Sequence, residues 1–341
     1  MSDASLEQLY AALHDDVESL LIADEHCFSV PPVRELRVVS NRVDVAERMQ
    51  LAGLDCSLND FELGEYQGIR RIYYRVSKEK PLVHHCINQA LALLPPGGEL
   101  VLSGEKGDGI KTYYDKARAL VGAEKSLKKL KGNAFLGRIV KQSEPSGLLD
   151  DSDYCSLRPI TDSPAPGLFS KPGVYGWQKI DRGSALLIEA LQALKPDPER
   201  VQTLLDLGCG YGYLSVLAHQ LLPQTRIVAT DNNAAAIAAC QQNFAEHAIK
   251  GEVVAADCAQ GIEQSFDCVL CNPPFHKGFD VHGDLTRLFL ERAAERLKPG
   301  GRALFVVNQF IALEQKAEGL FARSERVLEG QGFKVLLLHG H

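Results

Sequence analysis

The tetrapeptide Asn272-Pro273-Pro274-Phe275 directly follows the apolar run Cys268-Val269-Leu270-Cys271. A short apolar run closed by two prolines predicts a buried parallel strand ending in a rigid turn, because proline fixes φ and offers no N–H. The strand delivers Asn272 at its carboxyl end, the edge at which open α/β sheets hold ligands. An amide, two backbone carbonyls and an aromatic ring that converge there can grip a planar amine. Three acidic residues precede this stretch, each placed after a predicted strand. Asp206 opens Asp206-Leu207-Gly208-Cys209-Gly210-Tyr211-Gly212 after the strand Val201 to Leu205, Asp231 follows Arg226 to Thr230, and Asp257 follows Glu252 to Ala256. Glycines at such a turn let backbone approach a ligand closely, and the helix amino terminus behind them offers N–H groups to a polar or negative group. The spacing is GxGxG, not the GxGxxG of dinucleotide binders. Asp231 lies close to the ~20 residues downstream at which a carboxylate meets ribose hydroxyls in nucleotide folds. An Asp that caps the following helix explains any one of these positions. It does not explain three strands ending in Asp and a fourth ending in Asn272.

The elements that position these residues recur along the chain. The run Leu94-Pro-Pro-Gly-Gly-Glu-Leu-Val-Leu-Ser103 parallels Leu297-Lys-Pro-Gly-Gly-Arg-Ala-Leu-Phe-Val306, and each is followed by a predicted helix, Gly109 to Val121 and Ala312 to Ser324. Upstream, Ile72-Tyr73-Tyr74, within the predicted strand Arg71 to Val76, stands where Cys268 to Cys271 stands, ahead of a helix over Pro81 to Leu94. Two copies of one α/β unit account for the pattern. The amino copy lacks a glycine cluster after its first strand and has Arg75-Val-Ser-Lys-Glu-Lys80 in place of Asn-Pro-Pro-Phe, so it reads as inactive. Leucines at helical spacing predict a helix over Ser5 to Ile22, with a strand at Leu36 to Val39. Gln142 to Lys171, rich in Ser, Asp, Pro and Gly, reads as linker and loops. Gly167 to Trp177 reads as a glycine-hinged loop, able to fold over a ligand or to serve as a structural turn, before Asp181-Arg-Gly183-Ser184 and a helix over Ala185 to Leu194.

At 341 residues and 45% hydrophobic content the chain fits two domains, 1–150 and 151–341. The amino terminus, with Asp3 and Glu7 and no apolar core, is not a secretory signal. No run approaches the ~18 apolar residues of a membrane helix. Nine scattered cysteines favour reduced thiols and a cytoplasmic setting. The CxxC at Cys268 and Cys271 is disfavoured as a redox motif, because strand neighbours three apart face opposite sides. No metal-ligand spacing is read. The net charge of −7 argues weakly against a polyanion partner. Basic residues nevertheless dominate Lys106 to Lys141, with Lys125, Lys128, Lys129 and Lys131 clustered and Tyr113, Tyr114 and Phe135 interleaved. Arg70, Arg71, Arg75, Lys78 and Lys80 surround Tyr73 and Tyr74. A solvated helix face explains the first group and chance the second; an RNA-binding surface is the competing reading.

As a set, the Asp206 glycine motif, Asp231, Asp257 and Asn-Pro-Pro-Phe resemble the motifs of class I S-adenosylmethionine-dependent methyltransferases. The Asn-Pro-Pro-Phe-His variant behind a degenerate copy, with Pro172-Gly-Val174 before the glycine motif, resembles the bacterial ribosomal RNA guanine-N2 methyltransferases in particular, over essentially the whole chain. The resemblance implies an α/β fold of two tandem Rossmann-like methyltransferase domains, the amino-terminal copy degenerate and given to structure or RNA binding. It implies S-adenosylmethionine as cofactor, and 16S rRNA in the 30S subunit as partner of a monomer without membrane attachment. Asp206, Gly208, Cys209, Gly210 and Gly212 would hold the methionine part, Asp231 with Asn232 the ribose, and Asp257 with the Cys258 backbone the adenine. Asp181, Gly183 and Ser184 would lie near the cofactor. Asn272, which also borders the cofactor, and the Pro273 carbonyl would accept the amino hydrogens of guanine, with Phe275 stacked on a flipped base. His276 would be structural, or would contact base or phosphate. A 23S rRNA guanine, adenine N6 in DNA and a glutamine side chain are also planar conjugated amines, and a noncatalytic RNA-binding protein that retains the fold is the alternative from another class.

Overall fold

In the computed structural model, which describes all residues except 1–2, 15, 28–29, 32, 162–164 and 275–281, the chain divides into two units, Met1–Ser156 and Leu157–His341. The first unit runs α1 (Ala4–Ala11), β1 (Ser19–Ala23), β2 (Leu36–Ser40), α2 (Val43–Leu51), β3 (Asp55–Leu58), β4 (Arg71–Arg75), α3 (Lys80–Leu93), β5 (Glu99–Glu105), α4 (Ile110–Leu120), β6 (Leu127–Lys129) and β7 (Ala134–Val140). Its seven strands lie in the order β3-β2-β1-β4-β5-β7-β6. Strands β1 to β5 pair in parallel, and β7 is antiparallel to both β5 and β6.

The second unit opens with an antiparallel ribbon of β8 (Arg158–Pro159) and β9 (Phe169–Ser170). It continues through α5 (Arg182–Leu194), β10 (Thr203–Leu207), α6 (Tyr213–Leu221), β11 (Arg226–Asp231), α7 (Ala234–Glu246), β12 (Gly251–Ala255), β13 (Phe266–Cys271), α8 (His282–Arg296), β14 (Leu297–Asn308), α9 (Leu313–Ala317), β15 (Arg323–Gly330) and β16 (Phe333–His339). Its order, β12-β11-β10-β13-β14-β16-β15, repeats that of the first unit strand for strand. The Pro-Gly-Gly repeat falls just before β5 and within β14, and β4 answers to β13. The order reverses beside β10, so the carboxyl ends of β10 and of its neighbour β13 flank a crevice, the place where such sheets bind ligands.

Burial explains the strands. Leu204 packs with Cys268 and Leu270 on one face of the sheet, while Leu205 and Leu207 pack with Val269 and Cys271 on the other. The two cysteines of the CxxC therefore lie on opposite faces. Burial pushes the Cys268 thiol up to about 12 and raises that of Cys271 well above its ordinary value, so both are inert at neutral pH. No cysteine forms a disulfide. Among the described residues no helix is long and apolar enough to cross a membrane.

Several expectations are corrected. The helix expected over Ser5 to Ile22 stops at Ala11, and Ser19–Ala23 is a central strand with every residue buried. Leu6 and Leu9 follow the helical period, whereas Leu20-Leu21-Ile22 is the unbroken apolar run of a strand covered on both faces. The helix expected over Ala312 to Ser324 shrinks to Leu313–Ala317, because Arg323 already starts β15. The lysine cluster is not a helix face: Leu127–Lys129 is a short edge strand. Tyr113, Tyr114 and Phe135 are buried, as are Tyr73 and Tyr74, so none offers a ring to a nucleobase. The second basic group is mostly spent inside the unit, with Arg71 paired to Asp16 and Glu99, Arg75 to Asp3 and Lys80 to Asp150. Lys125, Lys128, Lys129 and Lys131 remain exposed.

Candidate active site

Strand β10 reaches two residues further than its sequence pattern suggests, so Asp206 lies within the strand and is fully buried. Its Oδ2 accepts hydrogen bonds from the Ser215 backbone N–H (3.0 Å) and hydroxyl (2.6 Å) in the first turn of α6, while Oδ1 is buried without a partner. Burial pushes the carboxyl up to about 7, against the lowering effect of Ser215. The turn after β10 is pinned to the next strand, since the N–H groups of Gly208 and Cys209 both donate to the Thr230 carbonyl at 2.9 and 2.8 Å. Gly208, Gly210 and Gly212 have φ of +79°, +55° and +88°, a region that L side chains enter only with strain. A Cβ on Gly210 would meet nothing within 4 Å, so open space faces the middle of the turn.

Asp231, the last residue of β11, organises this space. Its Oδ2 accepts the Gly210 N–H and its Oδ1 the Asn233 N–H, both at 2.9 Å. Asn233 in turn caps α7 through Ala235 N–H. Asn232 Nδ2 donates to Asp257 Oδ1 at 3.1 Å, which ties the ends of β11 and β12 together. Cys258 follows with φ +46° inside a short 3-10 turn. The capping reading of these aspartates is thus partly right: Asp206 serves α6 and Asp231 braces the residue that caps α7, while Asp181, outside that series, caps α5.

At the end of β13, Asn272 is half-buried, and its Nδ2 donates to Asp181 Oδ2 at 2.7 Å and to Ser184 Oγ at 2.8 Å. Asp181 Oδ2 also accepts the Ser184 N–H at 2.8 Å. Gly183 permits the approach, since a Cβ there would come within 3.1 Å of Asp181 Oδ2 and 3.2 Å of the Phe333 ring. Pro273 is buried and Pro274 exposed, while Phe275 and His276 lie outside the described residues. The loop before α5 is anchored, not loose. Asn243 on α7 accepts the Phe169 N–H at 2.7 Å and donates to its carbonyl at 2.9 Å, and Asn233 donates to the Gly173 carbonyl. Tyr175 remains 74% exposed on that loop.

Residues 167–337 match the methyltransferase small domain family. Ribosomal RNA small subunit methyltransferase C of Erwinia tasmaniensis is 31% identical over 265 residues, 77% of this chain and 74% of that protein. The protein of the same name from Pseudomonas paraeruginosa is 34% identical over 72% of each chain. The chain belongs to the ribosomal RNA small subunit methyltransferase C family. A solved structure described as the T. thermophilus 16S rRNA N2 G1207 methyltransferase RsmC, in complex with AdoMet and guanosine, superposes with a TM-score of 0.85 at 25% identity, over 99% of this chain and 92% of that one. The class I methyltransferase fold in two copies is therefore common to this chain and a solved family member.

The cofactor of an RsmC-family enzyme fits the residues present. The glycine turn exposes backbone beside open space, the Asp231 carboxylate stands next to it at the strand end, and the Asp257 and Cys258 turn follows on the neighbouring strand. Ser184 holds the amide of Asn272 through its hydroxyl, and Gly183 leaves room for Asp181 beside it. Sequence reading missed that role. The signal available was the Asp-x-Gly-Ser pattern of Asp181 to Ser184, an N-cap with a glycine at its second helical position.

Proposed function

We propose that the chain transfers the methyl group of S-adenosylmethionine to the exocyclic N2 of a guanine in 16S rRNA, at the nucleotide equivalent to the G1207 named for the T. thermophilus protein. The observation that carries the reading is the amide acceptor of Asn272, placed one strand from the glycine turn and uncommitted among the described residues, in a chain that shares its whole fold with a structure holding AdoMet and guanosine.

Bound S-adenosylmethionine supplies a methyl group made electrophilic by its sulfonium. The glycine turn with Asp206 would hold its methionine part, Asp231 and Asn232 the ribose, and Asp257 with the Cys258 backbone the adenine. The chain's other residues must prepare the amine. Guanine N2 is a poor nucleophile because its lone pair is delocalised into the ring. Asn272 Oδ1 and the Pro273 carbonyl accept its two hydrogens, which orients the nitrogen and stabilises the positive charge that develops on it. No general base is needed, since an ammonium-like centre loses its proton to these acceptors or to water. Phe275, which lies outside the described residues, would stack on a base that has left its helix. The first unit contributes RNA backbone contacts through the exposed lysines of β6 and the turn after it.

Asn272→Ala tests the site. Turnover on 30S subunits lacking the modification should fall by at least about 100-fold, the scale for losing one group that stabilises transition-state charge, while calorimetry finds cofactor affinity intact. Wild-type turnover would exclude Asn272 as the acceptor.

A further inference from the structure

We infer that Asp181 and Ser184 are positioning residues that fix the polarity of the Asn272 amide. The inference rests on the acceptor role given to Asn272 above. A side-chain amide presents either an oxygen or an NH2 group, and the two orientations fill the same volume. Only the oxygen can accept the hydrogens of a substrate amine. Here both partners of the Asn272 side chain are acceptors toward it: the carboxylate of Asp181 at 2.7 Å and the hydroxyl of Ser184 at 2.8 Å. A carboxylate cannot donate, so the reversed amide would set oxygen against oxygen at hydrogen-bond distance. Nδ2 therefore spends both hydrogens on the protein and Oδ1 is the atom left for the substrate. The carboxylate adds a second effect, because hydrogen bonds in series polarise one another and strengthen Oδ1 as an acceptor.

The clamp is built into the fold. Asp181 is the N-cap of α5 and cannot leave its place without uncapping the helix, and Ser184 supplies from one residue both the N–H that holds Asp181 and the hydroxyl that holds Asn272. The first unit carries the same wiring. Asp3 caps α1, the helix before the first strand, through the Ser5 and Leu6 N–H groups, and it accepts from Arg75 Nε. By strand pairing and the Pro-Gly-Gly repeat, Arg75 stands where Asn272 stands: Arg75 lies opposite Ser103 on β5, and Asn272 is the next residue after Cys271, which lies opposite Phe305 on β14. An N-cap carboxylate thus clamps the residue at the end of the fourth strand in both units. In the first it holds a guanidinium, which has no acceptor to offer. In the second it holds an amide whose remaining atom is an acceptor.

Asp181→Asn and Ser184→Ala test the inference on the full chain. One oxygen of Asp181 accepts both the Ser184 N–H and Asn272 Nδ2, so an asparagine that caps α5 through its oxygen keeps both bonds and the orientation but gives up the carboxylate charge that polarises the amide. Ser184→Ala removes one acceptor and leaves the backbone N–H bond to Asp181. On 30S subunits lacking the modification, kcat should fall about 3- to 10-fold for Asp181→Asn, the scale of a charge-assisted hydrogen bond replaced by a neutral one, and about 3- to 10-fold for Ser184→Ala, which leaves one of the two acceptors that hold the amide. KM for the cofactor, its calorimetric affinity and the unfolding midpoint should stay at wild-type values. A loss of cofactor affinity that accounts for the fall in turnover would assign Asp181 to the cofactor site and overturn the inference. Wild-type kcat in both variants, with Asn272→Ala inactive, would overturn it while leaving the proposed function standing; an active Asn272→Ala would remove the acceptor role itself.

Discussion

Asp206 offers a quantitative test of the second unit's interior. The carboxyl is fully buried, two hydrogen bonds from Ser215 meet one of its oxygens, and no cation pairs with it among the described residues. Burial lifts its pKa from 3.8 to about 7, so the folded chain holds a proton that the unfolded chain releases. A group whose folded pKa is raised contributes stability that is complete below the unfolded value and lost as pH rises through the folded one. Stability without ligand should therefore decline between about pH 4 and pH 7. Roughly three units at about 1.4 kcal/mol each amount to about 4 kcal/mol. Asp206→Asn removes the titration, and its amide oxygen can still accept from Ser215. Urea unfolding of the full chain, repeated at steps from about pH 4 to pH 8, should show the variant gaining on wild type by up to about 4 kcal/mol, nearly all of it reached by about pH 7. Parallel curves for the two proteins would refute the account of a carboxyl kept protonated by burial.

Other outcomes follow from the same geometry. Gly212→Ala should lower stability by about 1–3 kcal/mol, read as a drop in thermal midpoint, because φ is +88° and the new Cβ would lie 2.8 Å from Cys240 Sγ. Gly210→Ala meets no neighbour within 4 Å, so it should cost only the backbone strain of about 1 kcal/mol and show itself chiefly as weaker cofactor binding by calorimetry. Charge reversal at Lys128, Lys129 and Lys131 should weaken binding to rRNA and reduce the salt slope of log K by about two to three, with cofactor affinity unchanged. Unaltered RNA affinity in that triple variant would remove the role given to the first unit.

Much of the fold could be read from local pattern. The Pro-Gly-Gly repeat and the apolar runs of β4 and β13 carry the duplication, because a strand covered on both faces is nearly all apolar wherever it occurs. Leu20 to Ile22 was hidden by the helical leucines just before it, and no local rule divides the two. The site was legible where backbone chemistry dictates residue type: Gly208, Gly210 and Gly212 have positive φ, and Asn272 stands before two prolines. Partnership was not legible. Asp181 meets Asn272 across 91 positions of sequence, and Asp3 meets Arg75 across 72; only the sheet order brings them together. Tyr113 and Tyr114 misled for the opposite reason. Aromatic residues among lysines suit RNA and suit a helix packed on a sheet equally well, and here the sheet buries them.

The most direct measurement is transfer of tritiated methyl groups from S-adenosylmethionine to unmethylated 30S subunits, 50S subunits and naked rRNAs, followed by mapping of the labelled nucleotide. Label on N2 of a single guanine in 16S rRNA is the predicted result. Label confined to 23S rRNA, or cofactor binding without transfer to any of these substrates, would contradict it.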